Sequence, residues 1–185
     1  MTHSDEFINY LKSFVPSDDG ERASGNRAAL ATLRRALTGK PSDVVRTFQY
    51  IGDWLPPGQK AQDFYILVAG LFASHSQSTD HGNLGMHLAA LRDVALREND
   101  AARAMMLDKR LAAMLQVRSS HLGPHLRRMI SFLKQGGIPV NWSQLLRDLR
   151  HWDDPQGYVQ YRWALAFWGE RRSDRSQSSN TGIQE

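Results

Sequence analysis

Arginines at helical spacing are the residues of this chain best suited to chemistry. In residues 24–37, SGNRAALATLRRAL, Leu30, Leu33 and Leu37 would share one stripe of a helix. Arg27 and Arg34 would fall within about 20° of each other and roughly 90° from that stripe. The leucines explain why such a segment folds, but not why Arg27, Arg34 and Arg35 are there. A guanidinium is a planar fork of N–H donors that meets phosphate or carboxylate oxygens two at a time. The same arrangement recurs in Leu122–Gln135, where Leu122, Leu126, Met129, Ile130 and Leu133 fit within about a 100° arc and Arg127, Ser131 and Lys134 lie opposite. In the following segment Trp142, Leu145, Leu149 and Trp152 share one side, and Arg147 and Arg150 share the other.

From residue 118 to 150 the cations Arg118, Arg127, Arg128, Lys134, Arg147 and Arg150 stand against Asp148 alone, and His121, His125 and His151 add to them when protonated. A helix surface stabilised by its own charges interleaves acids at i+3 or i+4, as Asp93 and Arg97 do. Taken singly, each arginine is the ordinary solvated face of an amphipathic helix. Several at one angular position on successive helices repel one another unless a polyanion neutralises them. A nucleic-acid backbone is the expected counter-ion, and the competing reading is a helical protein–protein adaptor whose basic faces meet acidic patches without touching nucleic acid.

Other chemistries find little support. The chain has no cysteine, which removes disulfide scaffolds and thiolate metal sites. His121 and His125 are four apart, but Gly123-Pro124 lies between them and no Glu follows His121 as a zinc protease requires; His75 and His81 fall in or beside a polar, solvated loop. There is no Gly-x-Ser-x-Gly elbow and no phosphate-binding glycine loop, and Asp153-Asp154 reads as a turn before Pro155. No enzyme, metal or cofactor is expected. Trp142, Trp152, Trp163, Phe167 and Trp168 read as core rather than base-stacking platforms, and Met105, Met106, Met114 and Met129 as gap-fillers.

The elements that must position the arginines are all helical. The chain has 185 residues, 41% of them hydrophobic, with 23 Lys and Arg against 19 Asp and Glu, enough apolar content for one domain or two small ones. Helical period predicts an all-α protein of about eight to nine helices in two small bundles. The divisions are residues 1–83, residues 84–168 and a polar tail, 169–185, expected to be disordered. Ser4 would cap a first helix buried through Phe7, Tyr10, Leu11 and Phe14; residues 17–25 and 74–83 read as loops, and the most apolar helix, 59–74, as the centre of the first bundle. The longest apolar run, 64–73, falls short of the ~20 residues that span a bilayer, and Met1–Lys12 carries acids where a leader would be basic. A soluble cytoplasmic chain with no membrane contact is expected.

The run LGPHLRRMISFLKQGGIPVNWSQLLRDLRHWDDPQGYVQYRWALAFW, with Leu126-Arg127-Arg128, a Gly/Pro turn, Trp142-x-x-Leu145-Leu146-x-x-Leu149-x-x-Trp152 and Arg162-Trp163, resembles the CasB family, the small subunit of the type I-E CRISPR surveillance complex Cascade. Arg34-Arg35, Asp108-Lys109-Arg110-Leu111 and Val117-Arg118 fit the family's order, so the likeness covers most of residues 1–168. The resemblance implies a non-catalytic, all-helical protein that assembles with other Cascade subunits as two copies in contact. It also implies partners in guide RNA and in target and non-target DNA, with the guide–target region and the displaced strand held during R-loop formation. By position it implies nucleic-acid contacts at Arg34, Arg35, Arg110, Arg118, Arg127, Arg128 and Arg147; helical geometry alone adds Arg27 and Arg150.

Overall fold

A computed structural model describes residues 2–16 and 23–169, with the backbone alone over 23–26. Nine α-helices and no strand occur among them: α1 (His3–Lys12), α2 (Ala23–Arg35), α3 (Pro41–Ile51), α4 (Gln59–Ser74), α5 (Leu84–Arg97), α6 (Ala101–Met114), α7 (Leu122–Gln135), α8 (Trp142–Arg150) and α9 (Tyr158–Trp168). None of them is long and apolar enough to cross a membrane. The tail expected after Gly169 and most of the loop expected over residues 17–25 lie outside the described residues, although α2 already begins at Ala23.

Local chemistry accounts for the helix ends. Thr2, not Ser4, caps α1: its backbone N–H donates to the Asp5 carboxylate at 2.9 Å and its hydroxyl accepts from the Asp5 N–H, a reciprocal box that satisfies two otherwise unpaired donors. Ser4 is buried instead. Asn83, Asp100 and Asn141 cap α5, α6 and α8 through side-chain oxygens. Beyond α2 a 3-10 turn, Ala36–Thr38, ends at Gly39 with φ 77°, a left-handed value that glycine adopts without Cβ strain.

Helix α4 lies at the centre, against α2, α3, α7 and α8; α5 packs on α6, α7 and α9, and α1 lies on α8. A Cβ on Gly85 would run into the backbone of Trp163, so glycine there lets α5 and α9 approach closely. Buried side chains from Phe7 to Phe167 form one contiguous apolar cluster, drawn from both sides of residue 83. Trp142, Trp152, Trp163 and Phe167 belong to it as expected and Trp168 packs against it half-buried, whereas Met105 turns outward and fills no gap.

The segment expected as a solvated loop, 74–83, is clamped inward. Its backbone pairs with Val140 (Thr79 N–H to Val140 O and Val140 N–H to Gln77 O, both 3.2 Å), and Trp142 donates its indole N–H to Gln77 O at 3.2 Å. His75, expected in solvent, is buried with Nε2 2.8 Å from Ile138 O and its ring edge-on to Trp142. Nearby, the buried Nε2 of His87 accepts the Asn141 N–H at 3.1 Å, and burial pushes the His87 imidazole down to about 4.

Candidate nucleic-acid interface

Between Asp108 and Asp148 the sequence holds no acid, and both bounding carboxylates are engaged by internal groups. Asp108 accepts from the buried Arg92 at 3.4 Å and from the Trp168 indole at 2.9 Å, while the Arg92 guanidinium carbon lies 4.2 Å from the centroid of Phe167. Asp148, which by sequence stands beside Arg147 and Arg150 as their acid, is buried: Trp163 donates to it at 2.6 Å and Gln144 at 2.7 Å. Burial raises its pKa, against the pull of these hydrogen bonds. Asp148 is buried, and Asp108, partly exposed, is held by Arg92 and Trp168.

A continuous basic track runs across α7. On one flank Lys109 and Arg110 of α6 line a cleft with His125, Arg128 and Met129. The next depression shares Arg128 and Pro124 with it and adds Arg127, Ser131 and Phe132; a third shares Arg127 and Ser131 and reaches Lys134, Leu37, Ser74 and His75. None of Lys109, Arg110, Arg127, Arg128 and Lys134 forms an ion pair among the described residues. Cations held side by side without acids produce a local positive field that low-dielectric cleft walls strengthen.

Fixed carbonyls orient two of the arginines at this end of the molecule. Arg34 donates from Nε and Nη2 to Ala73 O, at 3.1 and 2.6 Å, and so ties α2 to the last turn of α4, where carbonyls lack helical partners and a cation complements the helix dipole. Arg127 donates to Leu37 O, bridging α7 to the turn after α2. Each bonds a neutral oxygen and keeps its full positive charge. Arg27 and Arg35 are exposed on α2 and form no ion pair among the described residues.

Three expected residues lie elsewhere. Arg150 lines a depression with Lys60 and the first turn of α4, and Asp153 accepts both from Lys60 Nζ at 2.7 Å and from the Ser119 N–H at 3.0 Å, beside Arg118. The depression at Arg150 lies against the first turn of α4, whereas the Lys134 end of the track meets its last residue, Ser74, about 24 Å of helix away. Burial pushes the Asp153 carboxyl up, and the bonds from Lys60 and Ser119 outweigh it and hold the group down at about 2. Helix α6 stops at Met114, which leaves Arg118 extended (φ −71°, ψ 158°) and exposed. Arg147, expected on an unpartnered face, instead meets Asp5 at 2.8 Å and Gln144 at 3.1 Å. The partner comes from 142 positions away, beyond the reach of any reasoning from helical period.

Sequence reasoning did not single out Lys109 and Lys134 as site residues. What identifies both is the length of the acid-free run, a better guide here than arginine spacing.

Comparison with known proteins gives this architecture a family. The family model of CRISPR-associated protein Cse2 matches residues 29–168. A CRISPR-associated protein Cse2 from Thermus thermophilus is 31% identical over 180 residues, covering 96% of each chain. The chain belongs to the Cse2 family. Among solved structures, CasB from M. ruber is 26% identical with a TM-score of 0.70, over 96% of this chain and 99% of that one, so the likeness to CasB drawn from the sequence is borne out. A chain of a CRISPR RNA-guided surveillance complex superimposes with a TM-score of 0.73 at 20% identity, over 95% of this chain and 97% of its own, and shares the all-α Cse2 fold.

Proposed function

We propose that this Cse2 protein is a non-catalytic subunit of a CRISPR surveillance complex that holds nucleic acid by its phosphate backbone. In the R-loop it would hold the guide–target region and the displaced DNA strand. The single observation behind this is the acid-free basic track across α7, whose bounding carboxylates are held by Arg92, Trp168, Trp163 and Gln144. Backbone holding needs guanidinium and ammonium groups aimed at phosphates and no code for reading bases, and a CRISPR effector delegates sequence to its guide. On this reading Arg110, Arg127 and Arg128, with Lys109 and Lys134, meet phosphates along the track, and Arg27 and Arg35, exposed on α2, add cations outside its depressions. Arg34 orients the adjoining helix ends, Arg118 and Arg150 form a smaller group at the far end of α4, and Arg147 fastens α1 to α8.

Protein contacts would occupy other surfaces. Val45 and Phe48 on α3, and Tyr161 and Leu165 on α9, are large apolar side chains open to solvent, as contacts with other subunits or a second copy require.

The test is fluorescence anisotropy of a labelled single-stranded oligonucleotide titrated with the full chain at low salt. Arg127→Glu or Arg128→Glu should weaken binding by about tenfold or more while circular dichroism stays unchanged. Affinity unaltered by both substitutions would leave the adaptor reading in place.

A further inference from the structure

The cleft between α6 and α7 differs from the rest of the basic track in having an apolar floor. It encloses about 290 Å³, and the buried Met129 lies beneath its cationic rim. That is at the lower limit of small-molecule sites, room for one planar group rather than a folded ligand.

Arg110 is held there in a particular way. Its Nε donates to Met106 Sδ at 2.8 Å, and its guanidinium carbon lies 5.6 Å from the centroid of the Phe132 ring. The guanidinium lies within cation–π range of an aromatic ring and borders the cleft, so a flat, weakly hydrated cation is offered to whatever enters. A phosphate needs only charge and donors, which Lys109 and Arg128 already supply at the rim. A guanidinium fixed by sulfur and ring, beside a methionine floor, suits instead the face of a nucleobase, which stacks on arginine planes irrespective of its identity.

We infer that this cleft is a base-stacking pocket that takes one unstacked base of a single strand against Arg110, with the neighbouring phosphate held by Lys109 and Arg128. The inference rests on the nucleic-acid reading above and goes beyond it: the track holds bases as well as backbone, and in this pocket prefers single strands to duplex, whose bases are already stacked.

The test compares two single strands of equal length, one carrying bases and one built of abasic deoxyribose phosphates, each titrated against the full chain and against Arg110→Lys. The wild-type chain should bind the base-bearing strand about tenfold more tightly than the abasic one, and Arg110→Lys, which keeps the charge and loses the plane, should remove most of that preference. A 2-aminopurine strand should brighten on binding the wild-type chain, as the base leaves its stacked neighbours, and much less with Arg110→Lys. Equal wild-type affinity for both strands, with Arg128→Glu still weakening both, would overturn the pocket and leave the phosphate track standing. A base preference that survives intact in Arg110→Lys would remove it from this cleft. Strands bound equally by wild type and Arg128→Glu would overturn the nucleic-acid reading and the pocket with it.

Discussion

On α7, Arg128 and Lys134 stand in solvent and form no ion pair among the described residues, whereas on α8 Arg147 is fastened to Asp5 and its sequence neighbour Asp148 is buried against Trp163. Both helices show an apolar stripe beside a basic one, with the largest amphipathic contrast on α8. What separates them is what the fold brings to each surface. α8 receives the N-terminus of α1, with the carboxylate of Asp5; α7 lies among α4, α5 and α6, and among the described residues none of its cations forms an ion pair. An unpaired cation is a property of the tertiary environment, and helical period supplies only the direction in which it points.

The sharpest way to break this contrast is charge reversal on the track. The double substitution Lys109→Glu with Arg128→Glu should lower single-strand affinity about a hundredfold at low salt, measured by anisotropy, without shifting the thermal midpoint. Arg147→Glu should do the opposite. It would place a second carboxylate beside Asp5 and cost about 1–2 kcal/mol, a Tm lower by roughly 2–8 °C in a calorimetric scan, with strand affinity within about twofold.

The acid limb of stability comes from Asp5 and Asp153 and not from the track. The Thr2 backbone N–H, opposed by burial and aided by the Thr2 hydroxyl and Arg147, holds the Asp5 carboxyl below the ordinary carboxylate range. Its contribution is full above the unfolded value of about 3.9 and is lost as pH falls through the lower folded value. His87 adds a second window. Its folded pKa is depressed, so the unfolded chain takes up the proton first, and stability is full above about 6.5 and declines as pH falls toward 4. His87→Gln should flatten Tm against pH across that interval, in thermal scans at half-unit steps, and leave the lower limb due to Asp5 and Asp153 in place. The smallest effect is expected at Lys60, whose pair with Asp153 is largely exposed: Lys60→Ala should change stability by less than about 0.5 kcal/mol.

The all-α fold, the buried tryptophans and the family were legible in the sequence because each rests on local period or on a long collinear pattern. The anchoring of 74–83 and the burial of His75 were not, because polar composition describes a loop while its pairing with Val140, some sixty residues on, is a product of the fold. Arg34 and Arg127 could be placed on the correct helix faces but not matched with the carbonyls of Ala73 and Leu37, since open helix ends become visible only when helices are packed. The burial of Arg92 over Phe167, and the bond from Trp168 to Asp108, are products of α9 docking on α5 and leave no local signal in the sequence. Of the expected site, the part on α7 follows from acids missing over a long interval, which is a one-dimensional property, and the part at Arg147 depended on Asp5, which is not.

The most direct measurement is the salt dependence of single-strand binding for Arg128→Ala and Arg147→Ala side by side. If the cations on α7 meet phosphates and Arg147 does not, Arg128→Ala lowers the slope of log affinity against log salt by about 0.7 and Arg147→Ala leaves it where the unmodified chain has it. A slope unchanged by Arg128→Ala and reduced by Arg147→Ala would contradict the assignment and move the interface from α7 to α8.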